Sequence, residues 1–164
     1  MGAVDAFDAL PAERLLACCA APAWGEAIMA GRPFADRAAI LAAADAAGRA
    51  LSWPEVLIGL SAHPRIGERA TGDSPEAAWS RAEQSAAARS ADDVTKAELI
   101  AANRAYEERF GHVFLIFASG RSQAEILAAA RERLGNDEAV ERAIVTGELS
   151  KIARLRLERV LDAL

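Results

Sequence analysis

Residues 34–51 read FADRAAILAAADAAGRAL, and this alanine-rich stretch predicts a long helix. The whole chain has a similar character, because 52% of its 164 residues are apolar but only 5% are aromatic. Side chains this small favour close packing between helices and not a β-sandwich. The length suits one domain with one hydrophobic core. We therefore expect a single compact all-α domain over residues 1–164.

Prolines, glycines and capping residues divide the chain into about seven or eight predicted helices. Ser52 to Glu55 match a capping box, and Pro64 disfavours helical geometry at the residue before it, so that helix is expected to end at His63. The last helix has a candidate interruption at Gly147. The predicted spans are approximately 13–20, 22–31, 34–51, 52–63, 74 or 80 to 89, 92–111, 122–135 and 137–161. Residues 65–73 are expected to form a loop.

Residues 113–118, VFLIFA, do not fit this helical pattern. A short apolar run between Gly111 and Gly120 is by itself typical of a β-strand. Because the sequence offers no convincing second strand, we expect instead an extended apolar segment that crosses the core between helices. Its buried N–H and C=O groups need partners, since an unpaired backbone group is costly. A polar ligand could supply some of those partners.

The charge, the cysteines and the histidines exclude several classes of protein and site. A formal charge of -5 argues against binding to duplex nucleic acid, which requires neutralisation of phosphates. There is no apolar run of about 18 residues and no signal-peptide pattern, so we expect no membrane partner and a cytoplasmic location. Cys18 and Cys19 are adjacent, which suits two buried thiols better than a disulfide. His63 and His112 are too far apart in sequence to form a metal site with helical spacing, and no glycine-rich phosphate loop occurs.

His63 has two interpretations. It follows Val56, Gly59 and Leu60 by seven, four and three positions, which places it on the apolar face of the predicted helix 52–63. At the carboxyl end of that helix, the dipole favours the imidazolium form. The side chain is therefore either a hydrogen-bonded structural histidine or a group that transfers protons.

Residues 80–84 also admit a structural and a functional interpretation. Ser80 and Glu83 have the spacing of a capping box, but Glu83 shares a helical face with Trp79 as well. Gln84 adds an amide that can both donate and accept. The stretch is either a helix start or a polar group at a site.

Arg156 is the polar residue of interest in the last helix. It lies four residues after Ile152 and four before Val160, on or beside the buried face. Arg154 instead can pair with Glu158 on the exposed side. An arginine on an apolar face usually has a carboxylate partner, and here that partner is either protein or substrate.

Residues 103–111, N-x-x-Y-x-x-R-F-G, are interpreted as structural. Tyr106 and Phe110 are expected to pack, Arg109 to meet the last carbonyls of its helix, and Gly111 to adopt a left-handed cap.

Taken in order, these motifs resemble the OHCU decarboxylase family. OHCU is 2-oxo-4-hydroxy-4-carboxy-5-ureidoimidazoline, an intermediate of urate degradation. The resemblance covers nearly the whole chain, and its most specific parts are residues 62–67 (AHPRIG), 80–84 (SRAEQ), 103–111 and the apolar run ending at Ala118. The chain departs from many relatives at residues 86–88, where three alanines replace a small-Gly-Leu turn, and at 112–113, where an aromatic residue followed by proline is common.

The resemblance implies an all-helical homodimer that needs no metal or organic cofactor. It implies cofactor-independent decarboxylation of the small molecule OHCU to (S)-allantoin and CO₂, with His63 as the catalytic histidine and Glu83 as the assisting carboxylate. Which of the two delivers the proton that sets the stereocentre stays open. The resemblance assigns substrate binding to Pro64, Ser80, Arg81, Ala82, Glu83, Gln84, Phe114, Leu115, Ile116, Phe117, Ala118, Ser119 and Arg156, with Ser119 as the alternative end of the core segment.

Two other functional classes compete with an enzyme. In a non-catalytic helical interaction module, His63 and Arg156 would be satisfied core residues and Glu83 a cap. A helical transcriptional regulator is disfavoured by the acidic charge and by the lack of a basic recognition helix.

Overall fold

The computed structural model describes residues 2–66, 74–90 and 92–164, with the backbone alone at 86–90. Its described residues form helices and no strand, which confirms the predicted all-α class. Eight α-helices and one 3-10 helix, η1, occur in these ranges. In chain order they are α1 Ala3–Asp8, η1 Ala12–Ala17, α2 Pro22–Met29, α3 Arg37–Ala50, α4 Trp53–Leu60, α5 Pro75–Ser90, α6 Asp93–Phe110, α7 Gln123–Leu134 and α8 Glu138–Asp162.

Most predicted boundaries are set by local capping. The Ser52 hydroxyl accepts from the Glu55 N–H at 3.3 Å, and Ser122 and Glu125 form the reciprocal capping box that begins α7. Gly111 ends α6 with a φ of 79°, a left-handed conformation that suits a residue without a Cβ. These caps satisfy helix-end groups that would otherwise lack partners.

Four details of the predicted helices are wrong. Helix α1 was not expected from the sequence, and η1 is a 3-10 helix of Ala12–Ala17 in place of a helix over 13–20. Helix α4 ends at Leu60 with Ser61 as its cap, so His63 lies outside the helix and not on its apolar face. Helix α8 runs without a break through Gly147, because a single glycine costs a helix only about 1 kcal/mol.

The described chain divides into two compact units. One consists of the residues up to Ala62 together with Thr146–Leu164, and the other of His63–Val145. Helix α8 therefore contributes its first turns to the second unit and its remainder to the first. The single domain expected over residues 1–164 stays a prediction.

In the first unit, α2 packs against η1 and α3. Its buried side chains include Phe7, Leu15, Trp24, Ile28, Ile40, Val56, Leu149 and Leu157. Small residues bring α3 and α8 together, since a Cβ added at Gly48 would lie 1.9 Å from the Ser150 hydroxyl oxygen.

In the second unit, α6 packs against α7, and α5 also contacts α7. The core of this unit combines the facing sides of α6 and α7 with the residues of the extended segment. Its buried members are Ile66, Leu99, Ala102, Tyr106, Phe114, Ile116, Ala118, Ile126, Leu127 and Ala130. Residues 113–118, predicted as an extended segment in the core, are buried or half-buried and form neither helix nor strand between α6 and α7.

Candidate active site

The unit His63–Val145 holds every predicted site residue except Arg156. These residues lie on three pieces of chain: the loop that starts at His63, helix α5, and the segment 113–119. Part of the predicted loop 65–73, including Gly67 of the AHPRIG motif, lies outside the described residues.

The loop at His63 is fastened to helix α6 at the two residues that end its described part. The Arg65 guanidinium forms a two-point ion pair with Glu107, with Nε 2.6 Å from Oε1 and Nη2 3.2 Å from Oε2. One turn earlier on α6, the Asn103 amide donates to the Ile66 carbonyl at 2.7 Å. His63 and Pro64 themselves are half-buried. The position of the loop is therefore set by α6 and not by the end of α4.

Helix α5 carries the predicted substrate-binding stretch in its interior. The helix starts at Pro75, where the Ser74 hydroxyl accepts from the Ala77 N–H at 3.2 Å. Ser80 is not a cap, because its hydroxyl donates at 3.0 Å to the Glu76 carbonyl in the preceding turn. The capping-box interpretation of Ser80 and Glu83 is therefore wrong.

The exposure of residues 80–84 shows which of their side chains face the interior of the protein. Ser80 and Glu83 are 4% and 8% exposed, one turn apart on the same face of α5 as buried Ala77. Arg81 and Gln84 are half-buried, and Ala82 is exposed. A carboxylate this buried within a helix is unusual, and a site is a common reason for it. At residues 86–88 the backbone continues as helix, as the three alanines indicate.

The segment 113–118 lies in the core without a partner strand among the described residues. Phe114, Leu115, Ile116 and Ala118 are buried, and Val113 and Phe117 are half-buried. Hydrogen bonds from side chains replace part of a sheet ladder: the Leu115 carbonyl accepts from Arg133 Nη1 at 2.6 Å and the Phe117 carbonyl from Arg121 Nε at 3.1 Å. Ser119, the alternative end of the segment, is exposed in the turn that follows.

A buried polar network beside this segment was not predicted. Glu141 Oε1 accepts from the Tyr106 hydroxyl at 2.6 Å and from Arg133 Nε at 2.8 Å. The other oxygen accepts from the Asn136 amide at 3.1 Å. Burial, followed by the hydrogen bond to Glu141, raises the pKa of Tyr106 well above its usual range. The signal in the sequence was ambiguous, because Arg133 at the end of a helix and Glu141 at the start of the next both suit the helix dipoles.

Arg156 belongs to the first unit and is 1% exposed. Ile152, Ala153 and Leu157 around it on α8 are buried as well, which confirms that Arg156 lies on the buried face. Arg154 pairs with Glu158 at 3.3 Å on the more exposed side, as predicted, and also with Asp45, which was not predicted. The positive charge of Arg156 also reaches Cys18, whose pKa rises to about 12 because burial outweighs that charge.

The described residues offer no cluster of three or more His, Cys, Asp or Glu that could hold a metal ion. Among the described helices, none is both long and apolar enough to cross a membrane. Cys18 and Cys19 are both free and buried.

Comparison with known proteins identifies the family. The OHCU decarboxylase family model matches residues 8–158. The chain belongs to the OHCU decarboxylase family. Membership confirms the resemblance predicted from the sequence, and with it an enzyme of the carboxy-lyase class.

Individual relatives agree with the family assignment. A 2-oxo-4-hydroxy-4-carboxy-5-ureidoimidazoline decarboxylase from Amia calva is 33% identical over 142 residues, which are 86% of this chain and 81% of the relative. A crystal structure of OHCU decarboxylase in the presence of (S)-allantoin has a TM-score of 0.75 at 31% identity, covering 92% of this chain and 98% of that one.

Longer proteins also contain a matching region. The uric acid degradation bifunctional protein TTL from Arabidopsis thaliana is 33% identical over 147 residues, but these are 88% of this chain and only 45% of the plant protein. A crystal structure of (S)-allantoin synthase shares the fold, with a TM-score of 0.70 at 19% identity over 96% of this chain and 53% of that one. The chain thus spans about half the length of these two relatives.

Proposed function

We propose that this chain decarboxylates OHCU to (S)-allantoin and CO₂. One observation carries the proposal: Glu83 and Ser80 are buried on one face of α5, inside the same compact unit as His63 and the core segment 113–118. An interaction module would use Glu83 as an exposed cap, and the start of α5 at Pro75 excludes that role.

The chemistry needs little beyond proton transfer and orientation. In OHCU one ring carbon carries the hydroxyl and the carboxylate, and its neighbour carries the ureido group and a double bond to a ring nitrogen. When the bond to CO₂ breaks, its electron pair forms a carbon–carbon double bond, and the C=N pair moves to nitrogen. The substrate is thus its own electron sink, which accounts for a protein without a cofactor motif.

His63 and Glu83 are proposed to move the protons. The ring nitrogen that receives the C=N electron pair must take up a proton. The enol left after loss of CO₂ must release its hydroxyl proton and gain a proton at the ureido-bearing carbon. His63 acts on the hydroxyl as general base, and Glu83 orients either that hydroxyl or the imidazole. The proton that sets the stereocentre comes from His63 or from Glu83.

The remaining predicted residues are proposed to bind the substrate. Gln84 and the backbone of residues 114–118 offer donors and acceptors for an anionic, amide-rich molecule. Ser80, Arg81 and Ala82 complete the stretch on α5, and Pro64 follows His63. Arg156 is assigned to the substrate because its position matches that of the family's substrate arginine. The resemblance also supports a homodimer, and two free thiols fit a cytoplasmic location.

The test is turnover of OHCU made in situ from urate by urate oxidase and the subsequent hydrolase. We expect the wild-type chain to form one enantiomer of allantoin, detected by circular dichroism, faster than the spontaneous decay that yields racemate. Replacing His63 by Gln should lower kcat by about 10² to 10⁴ while leaving thermal unfolding unchanged. Glu83→Gln is measured in the same way for comparison. Whichever of the two variants still makes allantoin, but more slowly and as racemate, has lost the residue that donates the final proton.

The interaction-module interpretation predicts the opposite pattern. In that case wild-type protein leaves the decay of OHCU unchanged, and His63→Gln alters the unfolding midpoint and nothing else. Such a result would contradict the proposed function.

A further inference from the structure

We propose that Arg133 is a positioning residue, which Glu141 and Tyr106 hold in place and which fixes the backbone of residues 113–118 for substrate binding. The inference rests on the proposed function and deepens it. It concerns residues that support the core segment 113–118 from within the protein and that have no role in the proton transfers.

The guanidinium of Arg133 connects the segment to the helices. Nη1 donates to the Leu115 carbonyl at 2.6 Å, while Nε donates to Glu141 Oε1 at 2.8 Å and Nη2 lies 2.6 Å from the same oxygen. The guanidinium carbon also lies 4.6 Å from the centre of the Phe114 ring. Two consecutive residues of the segment, Phe114 and Leu115, are thus held by one planar group.

The acid that holds Arg133 is itself fixed. Glu141 is 1% exposed, and Tyr106 and Asn136 donate to its two oxygens. Arg133 is 6% exposed, so the positive and negative charges compensate each other away from water. Neither side chain can rotate without breaking a buried hydrogen bond, which gives the Leu115 carbonyl a single orientation.

Three alternate carbonyls of the segment lie against side chains of the protein. The carbonyls of Leu115 and Phe117 accept from the side chains of Arg133 and Arg121, and His112 Nδ1 lies 3.0 Å from the Val113 carbonyl oxygen. In extended chain, alternate residues direct their backbone groups to the same edge. The protein therefore holds the edge of residues 113, 115 and 117, and the opposite edge, that of Phe114 and Ile116, is the one we assign to the substrate.

Stability alone does not require this network. An ion pair buried away from water is frequently no more stabilising than apolar side chains of similar volume. The orientation of a backbone carbonyl, in contrast, cannot be supplied by an apolar side chain. A displacement of about 1 Å in a bound substrate can cost about 10²-fold in rate.

The experiment compares two variants of the full chain with wild type and uses Tyr106→Phe as a milder third variant. Arg133→Lys keeps the charge opposite Glu141 but has no planar fork to reach the Leu115 carbonyl as well. The triple variant Y106F/R133M/E141L replaces the whole network by apolar side chains, which leaves no unpaired buried charge. Each is measured for kcat, KM, the enantiomeric purity of allantoin and the urea midpoint.

We expect kcat/KM to fall by about 10- to 100-fold in both, with a raised KM and a reduced enantiomeric purity, even where the urea midpoint equals that of wild type. Tyr106→Phe should lie between them and wild type, because it loses one hydrogen bond to Glu141. A purely structural role lowers the amount of folded enzyme but leaves KM and enantiomeric purity at wild-type values, and that result would overturn the inference. If the triple variant does not fold, Arg133→Lys and Tyr106→Phe distinguish a positioning role from a structural one by the same measurements.

The wild-type control separates this inference from the one on which it rests. If wild type turns over OHCU and the variants match it, the proposed function stands and the positioning role fails. If wild type shows no turnover, both fail.

Discussion

At the scale of the residue, two arginines two positions apart on α8 have opposite surroundings. Arg156 is 1% exposed among apolar neighbours, whereas the side chain of Arg154 is 40% exposed and pairs with Asp45 and Glu158. The helical period explains the contrast, since positions two apart face roughly opposite directions. The pair offers a matched test of the substrate-binding role assigned to Arg156.

Replacing Arg156 by Met should raise KM for OHCU and lower kcat/KM by about 10- to 100-fold, because a charged hydrogen bond to the anion is worth about 1.5–3 kcal/mol. Arg154→Met should leave both constants near wild type, since partly exposed ion pairs contribute little. Steady-state kinetics on the two variants gives the answer. Equal effects, or an unchanged KM in Arg156→Met, would remove Arg156 from the substrate site.

At the scale of the element, short-range patterns predicted the helices and long-range contacts decided the site. Asp36, Ser122 and Gly111 each act within one turn, and each lies where a cap was needed. The hydroxyl of Ser80 could not be predicted in the same way, because a serine can serve either a helix start or the preceding carbonyl of a helix interior.

The loop at His63 shows the same limit. Pro64 predicts the end of the helix at His63, but α4 already ends at Leu60. The residues that hold the loop, Asn103 and Glu107, lie about 40 positions further along the chain. Arg133 and Glu141 are only eight residues apart but are separated by a helix end, so the sequence gives no spacing rule for the pair. Contacts of this kind follow from packing and not from periodicity.

Gly48 in α3 tests how closely α3 and α8 approach, and Gly147, an exposed glycine of α8, serves as its control. Gly48→Ala should destabilise the protein by about 1–3 kcal/mol, because the new Cβ would lie 1.9 Å from the Ser150 hydroxyl oxygen and 3.0 Å from its Cβ. Gly147→Ala should stabilise it by about 0.5–1 kcal/mol, since that glycine is exposed within α8 and its added Cβ meets nothing within 4 Å. Urea unfolding measures both. A neutral Gly48→Ala would show that α8 can move away from α3 at little cost.

At the scale of the whole molecule, folding raises the pKa of three groups that lose a proton in alkaline solution: two thiols and a phenol. Burial raises the pKa of Cys18 to about 12 and also raises that of Cys19, and the pKa of Tyr106 lies above its usual range for the same reason. In the unfolded chain these groups ionise at their ordinary values, near 9 for the thiols. The unfolded state therefore holds fewer protons at alkaline pH.

The sign of the pH dependence follows. Stability contributed by the protonated thiols is fully present below about pH 9 and declines as the pH rises towards 12. We expect the free energy of unfolding, measured in urea, to fall from pH 8 to pH 10.5. The variant C18A/C19A should show a shallower decline, because only Tyr106 among these groups then remains. A decline of the same slope in both proteins would contradict the assignment to the thiols.

Main-chain atoms cannot be deleted by changing a side chain. Alanine scanning through residues 113–118 would therefore report the packing of Phe114 and Ile116 in the core and would miss recognition by their backbone groups. Replacing the backbone amide of Phe114 or of Ile116 by an ester, through chemical ligation, removes one N–H from the edge assigned to the substrate. Every side chain stays in place. For the same reason, evolution or engineering would adjust the backbone of residues 113–118 indirectly, through side chains such as Arg133 that bind its opposite edge.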